Sequence, residues 1–131
     1  MTGRHDDLIR GFRQMVFNVM ANNRDDHVKN FAFMLDHGHA WTLTPAYDLT
    51  YSQGPGGEHS MTLAGEGRAP GKDEIMQLGK GAGLSAAEIR RCVDQVRAAV
   101  DTWPECARAV GVSDERIKVI QRAVELNQRR F

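Results

Sequence analysis

Apolar and polar positions follow two rhythms along this chain. From Asp6 to Asn23 the apolar residues Leu8, Ile9, Phe12, Met15, Val16, Val19 and Met20 recur at three- and four-residue steps, which is one face of a helix. Asp6 and Asp7 fall in its first turn, where the helix dipole favours negative charge. Asn22 and Asn23 suit its end, because asparagine tolerates left-handed backbone. Then the rhythm shortens. "FAFML" (31–35) and "AWTLT" (40–44) flank "DHGH", and short aromatic and β-branched runs about a glycine-containing turn predict a small β-hairpin. Phe31, Phe33 and Trp41 on these runs are expected in the core. Asp36, His37 and His39 read as a polar turn, since a zinc site usually needs about four well-spaced ligands. Pro45 bars a simple continuation of the second strand. "SQGPGGEHS" (52–60) reads as a flexible glycine-rich loop, with His59 bonded to backbone. "MTLAGEGRAPGK" (61–72) reads as a short strand followed by more loop.

The helical rhythm returns near Asp73. A short helix in "DEIMQLGKGAG" stops at Gly81 or Gly83. Ser85 and Glu88 have capping-box spacing and open a helix whose stripe is Ile89, Cys92, Val93, Val96, Val100 and Trp103. Pro104 kinks or restarts it. Ser113 caps a last helix carrying Ile117, Ile120 and Val124, to about Leu126. The terminal "NQRRF" reads as a fraying, cationic helix end. No internal repeat or domain boundary is evident, and 131 residues fit one modest domain with one core.

Composition narrows the classes. Charged residues are 26% and hydrophobic ones 41%, ordinary for a globular protein. Lys plus Arg and Asp plus Glu both total 17, so the basic excess of a general nucleic-acid binder is missing. Cys92 and Cys106 fall in helical regions without CxxC spacing, so a disulfide framework is not expected. There is neither a signal-peptide core nor an apolar run of membrane-spanning length. The expectation is a cytoplasmic protein without membrane contact.

The chemistry concentrates at "NRDDHVKNFAFML" (23–35). Phosphoryl transfer from a magnesium nucleotide needs hard oxygen ligands for the metal. It also needs a carboxylate beside the attacking hydroxyl. In protein kinases these are a catalytic-loop aspartate, an asparagine five residues on, and an aspartate beyond a short hairpin. Asp25, Asn30 and Asp48 occur in that order and spacing, with the hairpin between the last two. Neither HRD nor DFG is present. The sequence leaves open whether Asp25 or Asp26 is catalytic, and the spacing to Asn30 favours Asp25. His27 reads as a loop brace, and Asp26 as a loop brace or a solvated carboxylate.

Three segments in order, "NRDDHVKNF", "WTLTPAYDL" and "GGEHSMTLAGEG", resemble the C-terminal lobe of HipA-like serine/threonine kinases, the bacterial toxin kinases of toxin–antitoxin systems. The resemblance spans essentially the whole chain. It implies an α+β, mostly helical fold, a kinase-like C-lobe with a small β-hairpin beside the catalytic loop. It also implies Asp25 as the catalytic aspartate, Asn30 and Asp48 as magnesium ligands, and Lys29 near the transferred phosphate. The implied cofactors are Mg2+ and ATP.

The kinase pattern also requires a glycine-rich phosphate loop and a strand lysine paired with a helix glutamate. Residues 1–131 show neither. "GEGRAPG" comes after the catalytic loop and lacks the strand–turn–helix context. The chain therefore reads as a C-lobe without its N-lobe, catalytically incomplete alone. An N-lobe supplied separately is one expected partner. An antitoxin-like DNA-binding protein is another, and a second copy is a third, through an exposed face around Met20, Phe31 and Met34. The alternatives are a non-enzymatic remnant serving as a binding or dimerisation module, and a small stand-alone metal or nucleotide binder.

Overall fold

The computed structural model describes residues 3–35 and 37–131. The elements are α1 (His5–Met20), β1 (Phe33–Leu35), β2 (Trp41–Leu43), α2 (Lys72–Gly81), α3 (Ala86–Asp101), α4 (Trp103–Ala109) and α5 (Asp114–Gln128), with 3-10 turns at Val28–Asn30 and Pro55–Gly57. The architecture is α+β and mostly helical, as expected. Segment 61–72 forms an isolated Leu63–Glu66 bridge instead of the expected short strand. Asp36, grouped in the sequence with His37 and His39, lies outside the described residues.

The stripe of α1 does as its spacing predicts. Phe12, Val16, Val19 and Met20 join Ile75, Ile89, Cys92, Val96, Val100, Ile120 and Val124 in one buried cluster. Helices α2 and α3 approach closely at Gly79, where a Cβ would sit 2.6 Å from the Ile89 side chain. Pro104 restarts the chain as α4 after α3 ends. Ser113 caps α5 by accepting from the Arg116 N–H.

The end of α1 matters for everything after it. Asn22 adopts φ 56°. Its N–H donates to the Val19 carbonyl at 3.3 Å, and the Asn23 N–H to that of Asn18 at 2.8 Å. These are the two bonds of a Schellman motif, and they turn the chain sharply into the polar segment.

Three expectations are corrected. Phe33 and Trp41 are 49% and 53% exposed rather than core. A two-stranded ribbon has only α1 to pack on, and Leu43 of β2 takes that place beside Gly11. Met20 is fully buried, so the exposed apolar face does not include it; that face is the hairpin, with Phe33, Met34, Leu35 and Trp41. The C-terminus is docked rather than frayed. Phe131 packs on the core cluster, and the Arg130 carbonyl accepts the Lys72 N–H at 3.0 Å, satisfying an orphan donor at the start of α2.

Helix α3 opens with the predicted capping box. The Ser85 hydroxyl and N–H donate to Glu88 Oε2 at 2.7 and 2.8 Å, and His5 Nε2 lies 2.6 Å from Oε1. Bonds from the Ser85 side chain first, then from His5, hold the Glu88 carboxyl at about 2, below its ordinary 4.5. A carboxyl depressed in the folded state stabilises the fold above the unfolded value. It loses that contribution as pH falls through 4.5 towards 2. Denaturant melts at stepped pH are therefore expected to show stability falling across this window. Glu88→Gln should flatten the fall; an unchanged slope in that variant would contradict the assignment.

Candidate functional site

The polar segment leaves α1 under tight control. Asn23 is buried, and its Nδ2 donates to Asn18 Oδ1 at 3.1 Å and to the Asp48 carbonyl at 3.3 Å. Asn22 Nδ2 and the Ser52 N–H exchange bonds with the Ser52 and Asn22 carbonyls, each 3.0 Å. From the far end of the chain, Asn127 Nδ2 donates to the Val19 carbonyl and to Asn22 Oδ1 at 3.0 and 3.1 Å. Buried Asn18, Asn22, Asn23 and Asn127 thus weld the end of α1, the segment after Asp48 and α5 together. Sequence reasoning missed this tier. Asn18 sits inside a helix and Asn127 near a chain end, and neither position carries a short-range signal.

Asp25 and Asp26 are adjacent but differ completely in environment. Asp25 is exposed, and its Oδ1 lies 2.8 Å from His27 Nε2. Asp26 is 2% exposed. Its Oδ2 lies 3.0 Å from Nδ1 of His59, itself 6% exposed. Its Oδ1 accepts the Ser60 and Met61 N–H groups at 2.8 and 3.4 Å. Asp26 is therefore a loop brace and not solvated. His59 braces with a side-chain carboxylate, where a backbone partner was expected.

The hairpin brings the remaining residues together. Phe33 pairs with Leu43, Met34 with Thr42, and Leu35 with Trp41. Asn30 lies just before the first strand and Asp48 shortly after the second, so the two sit on loops flanking the hairpin. Asn30 Nδ2 donates to Asp48 Oδ2 at 3.2 Å and to the Asp25 carbonyl at 3.2 Å. The Asn30 carbonyl accepts from Gln14 Nε2 of α1 at 3.0 Å. The Tyr47 hydroxyl donates to the Lys29 carbonyl, while the Lys29 side chain is exposed. Asp48 adopts φ 55°, a left-handed conformation that Asp tolerates better than most residues and that is worth attention at a loop carrying function. The structure brings the Asn30 and Asp48 side chains together and ties Asn30 to the backbone of Asp25, whose carboxylate lies against His27.

Whether the residues fit magnesium depends on their donors. Asp48 offers a carboxylate and Asn30 an amide oxygen, both hard. They sit where water reaches them, and Mg2+ keeps several waters. The pair fits on donor chemistry once the Asn30 amide turns, since its Nδ2 rather than its oxygen now faces Asp48. Among the described residues no group of three or more His, Cys, Asp or Glu side chains converges on a metal position. No described helix is long and apolar enough to cross a membrane.

The fold and site define a mostly helical α+β domain in which the loops flanking the hairpin bring the Asn30 amide against the Asp48 carboxylate at an exposed rim. Residues 1–103 match the family model described as the HipA-like C-terminal domain, and the chain belongs to that family. No curated protein matches it.

Proposed function

We propose that residues 1–131 supply the catalytic and metal-binding part of an ATP-dependent serine/threonine phosphotransferase site. Asp25 orients the acceptor hydroxyl and takes its proton, which an exposed carboxylate on a braced loop can do. Asn30 and Asp48 hold Mg2+, which neutralises charge on the transferred phosphoryl group when bound. Lys29, exposed on the same loop, would supply positive charge to that phosphate. The observation that carries the reading is the 3.2 Å contact of Asn30 with Asp48, made beside the exposed Asp25. The same geometry separates the two acidic neighbours. Both Asp26 oxygens are engaged in bracing, whereas the Asp25 carboxylate is exposed beside His27, which supports Asp25 as the reacting carboxylate.

The test uses Mn2+ as a paramagnetic probe of the chain by amide NMR. Selective broadening at Asn30, Asp48 and their neighbours is expected, lost in Asn30→Ala and in Asp48→Ala. Broadening spread over unrelated acidic surface, or unaffected by both variants, would refute the site.

The exposed hairpin residues Phe33, Met34, Leu35 and Trp41 favour a second reading, a binding or dimerisation module. It would serve an antitoxin-like DNA-binding protein, a separate N-lobe or a second copy. Such a module has no need of a divalent ion at Asn30 and Asp48, so the Mn2+ experiment separates the two.

A further inference from the structure

Asp25 is flanked on both sides by ties to one distant loop. On its N-terminal side, the Arg24 guanidinium donates to the Gly57 carbonyl and, at 3.3 Å, to that of Arg68. The Arg24 carbonyl accepts the Ser60 N–H and hydroxyl, both at 3.1 Å. On its C-terminal side stands Asp26, with both carboxylate oxygens engaged by His59, Ser60 and Met61. The loop is itself closed, since the His59 N–H donates to the Gly67 carbonyl at 2.8 Å. Gly54 permits the approach. Its φ is 67°, and a Cβ there would sit 2.3 Å from the Glu58 carbonyl oxygen and 2.8 Å from Arg24 Cβ.

We infer that Asp26 and His59 are positioning residues that hold the Asp25–Asn30 loop in register with Asp48, with Arg24 as a second tie. The inference rests on the roles proposed above for Asp25, Asn30 and Asp48. Residues 54–68 act as a built-in splint: apart from the exposed Ser60 hydroxyl, their ties to Arg24 and Asp26 are made through backbone groups and the buried His59 side chain. Setting Asp25 therefore calls for no added phosphate, unlike kinase activation loops that are ordered by phosphorylation through arginine. A buried partner behind a ligand-bearing loop fixes its geometry, and losing such a partner typically weakens metal affinity about tenfold or more.

The experiment compares the full chain with His59→Ala and His59→Gln by amide hydrogen exchange and by Mn2+ titration. In His59→Ala, exchange should rise at Ser60, Met61 and the Asp25–Asn30 segment, with the α1 and α3 cores still protected. Mn2+ affinity at Asn30 and Asp48 should fall about tenfold. His59→Gln, which keeps a donor, should recover part of both. Should His59→Ala not fold, Asp26→Asn takes its place, with the same pattern expected. Unchanged exchange across Asp25–Asn30 in a folded variant overturns the inference, and so does unchanged Mn2+ affinity. If the native chain shows no Mn2+ site at Asn30 and Asp48, the proposed function fails, while the exchange measurement still decides whether the splint exists.

Discussion

Asp26→Ala is expected to destabilise the chain by roughly 3 kcal/mol, whereas Asp25→Ala next to it should change stability by less than about 0.5 kcal/mol. The asymmetry follows from burial. Asp26 is enclosed with His59 and accepts two backbone N–H groups. Its removal leaves the buried His59 ring without its side-chain partner and takes an acceptor from the Met61 N–H, and each stranded group costs about 1–3 kcal/mol. The Asp25 carboxylate is exposed, so water replaces its contact with His27. For a domain of this size the Asp26 change corresponds to a fall in Tm of roughly 10 °C. Urea melts of the two variants decide the matter. Equal losses would mean that the two carboxylates do not divide labour as the geometry says.

Turnover of magnesium ATP by residues 1–131 alone is expected to be undetectable. Phosphoryl transfer depends on preorganised groups around the phosphates, and removing one such donor already costs about 10²–10³ in rate. Among the described residues the one sheet is the Phe33–Leu43 ribbon, which offers no strand lysine and no glycine-rich phosphate loop. Supplying those elements, in the same polypeptide or in trans, should bring turnover above background. Asp25→Asn should then abolish it without unfolding the protein. ATP binding by the 131 residues at low-micromolar affinity, lost in Asp48→Ala, would contradict this prediction.

Local patterns carried most of the fold. The α1 stripe, the Ser85–Glu88 capping box and the Ser113 cap are all short-range signals, read within one or two helical turns. The order Asp25, Asn30, hairpin, Asp48 was legible too, because the hairpin that unites the last two is itself local. What stayed hidden depends on distance along the chain. Nothing near Asp26 announces that His59 will meet it, and nothing near Asn127 points to Asn22. The exposure of Phe33 and Trp41 was misjudged for a related reason. Phe33, Trp41 and Leu43 share one face of the ribbon, which alternation reads as equally inward; how far along that face a neighbour reaches is not local information, and α1 buries Leu43 while leaving Phe33 and Trp41 half exposed.

The candidate site also shows how a polar cluster can sit against a buried segment. Asn23 and Asp26 are its inward-facing members and use buried hydrogen bonds. Asp25 and Lys29 are its outward-facing ones, and Asn30 bridges the two sets through Gln14, Asp25 and Asp48. Substituting an inward residue should act first on stability, and substituting an outward one first on binding.

The most direct measurement is a crystal of the chain soaked with Mn2+ and recorded at a wavelength where manganese scatters anomalously. A single strong peak at bonding distance, about 2.0–2.3 Å, from an Asp48 carboxylate oxygen and the Asn30 amide oxygen, with Asp25 open beside it, is the predicted result. A peak elsewhere on the surface, with the Asn30–Asp48 hydrogen bond still in place, would contradict the assignment of this rim as a phosphoryl-transfer site.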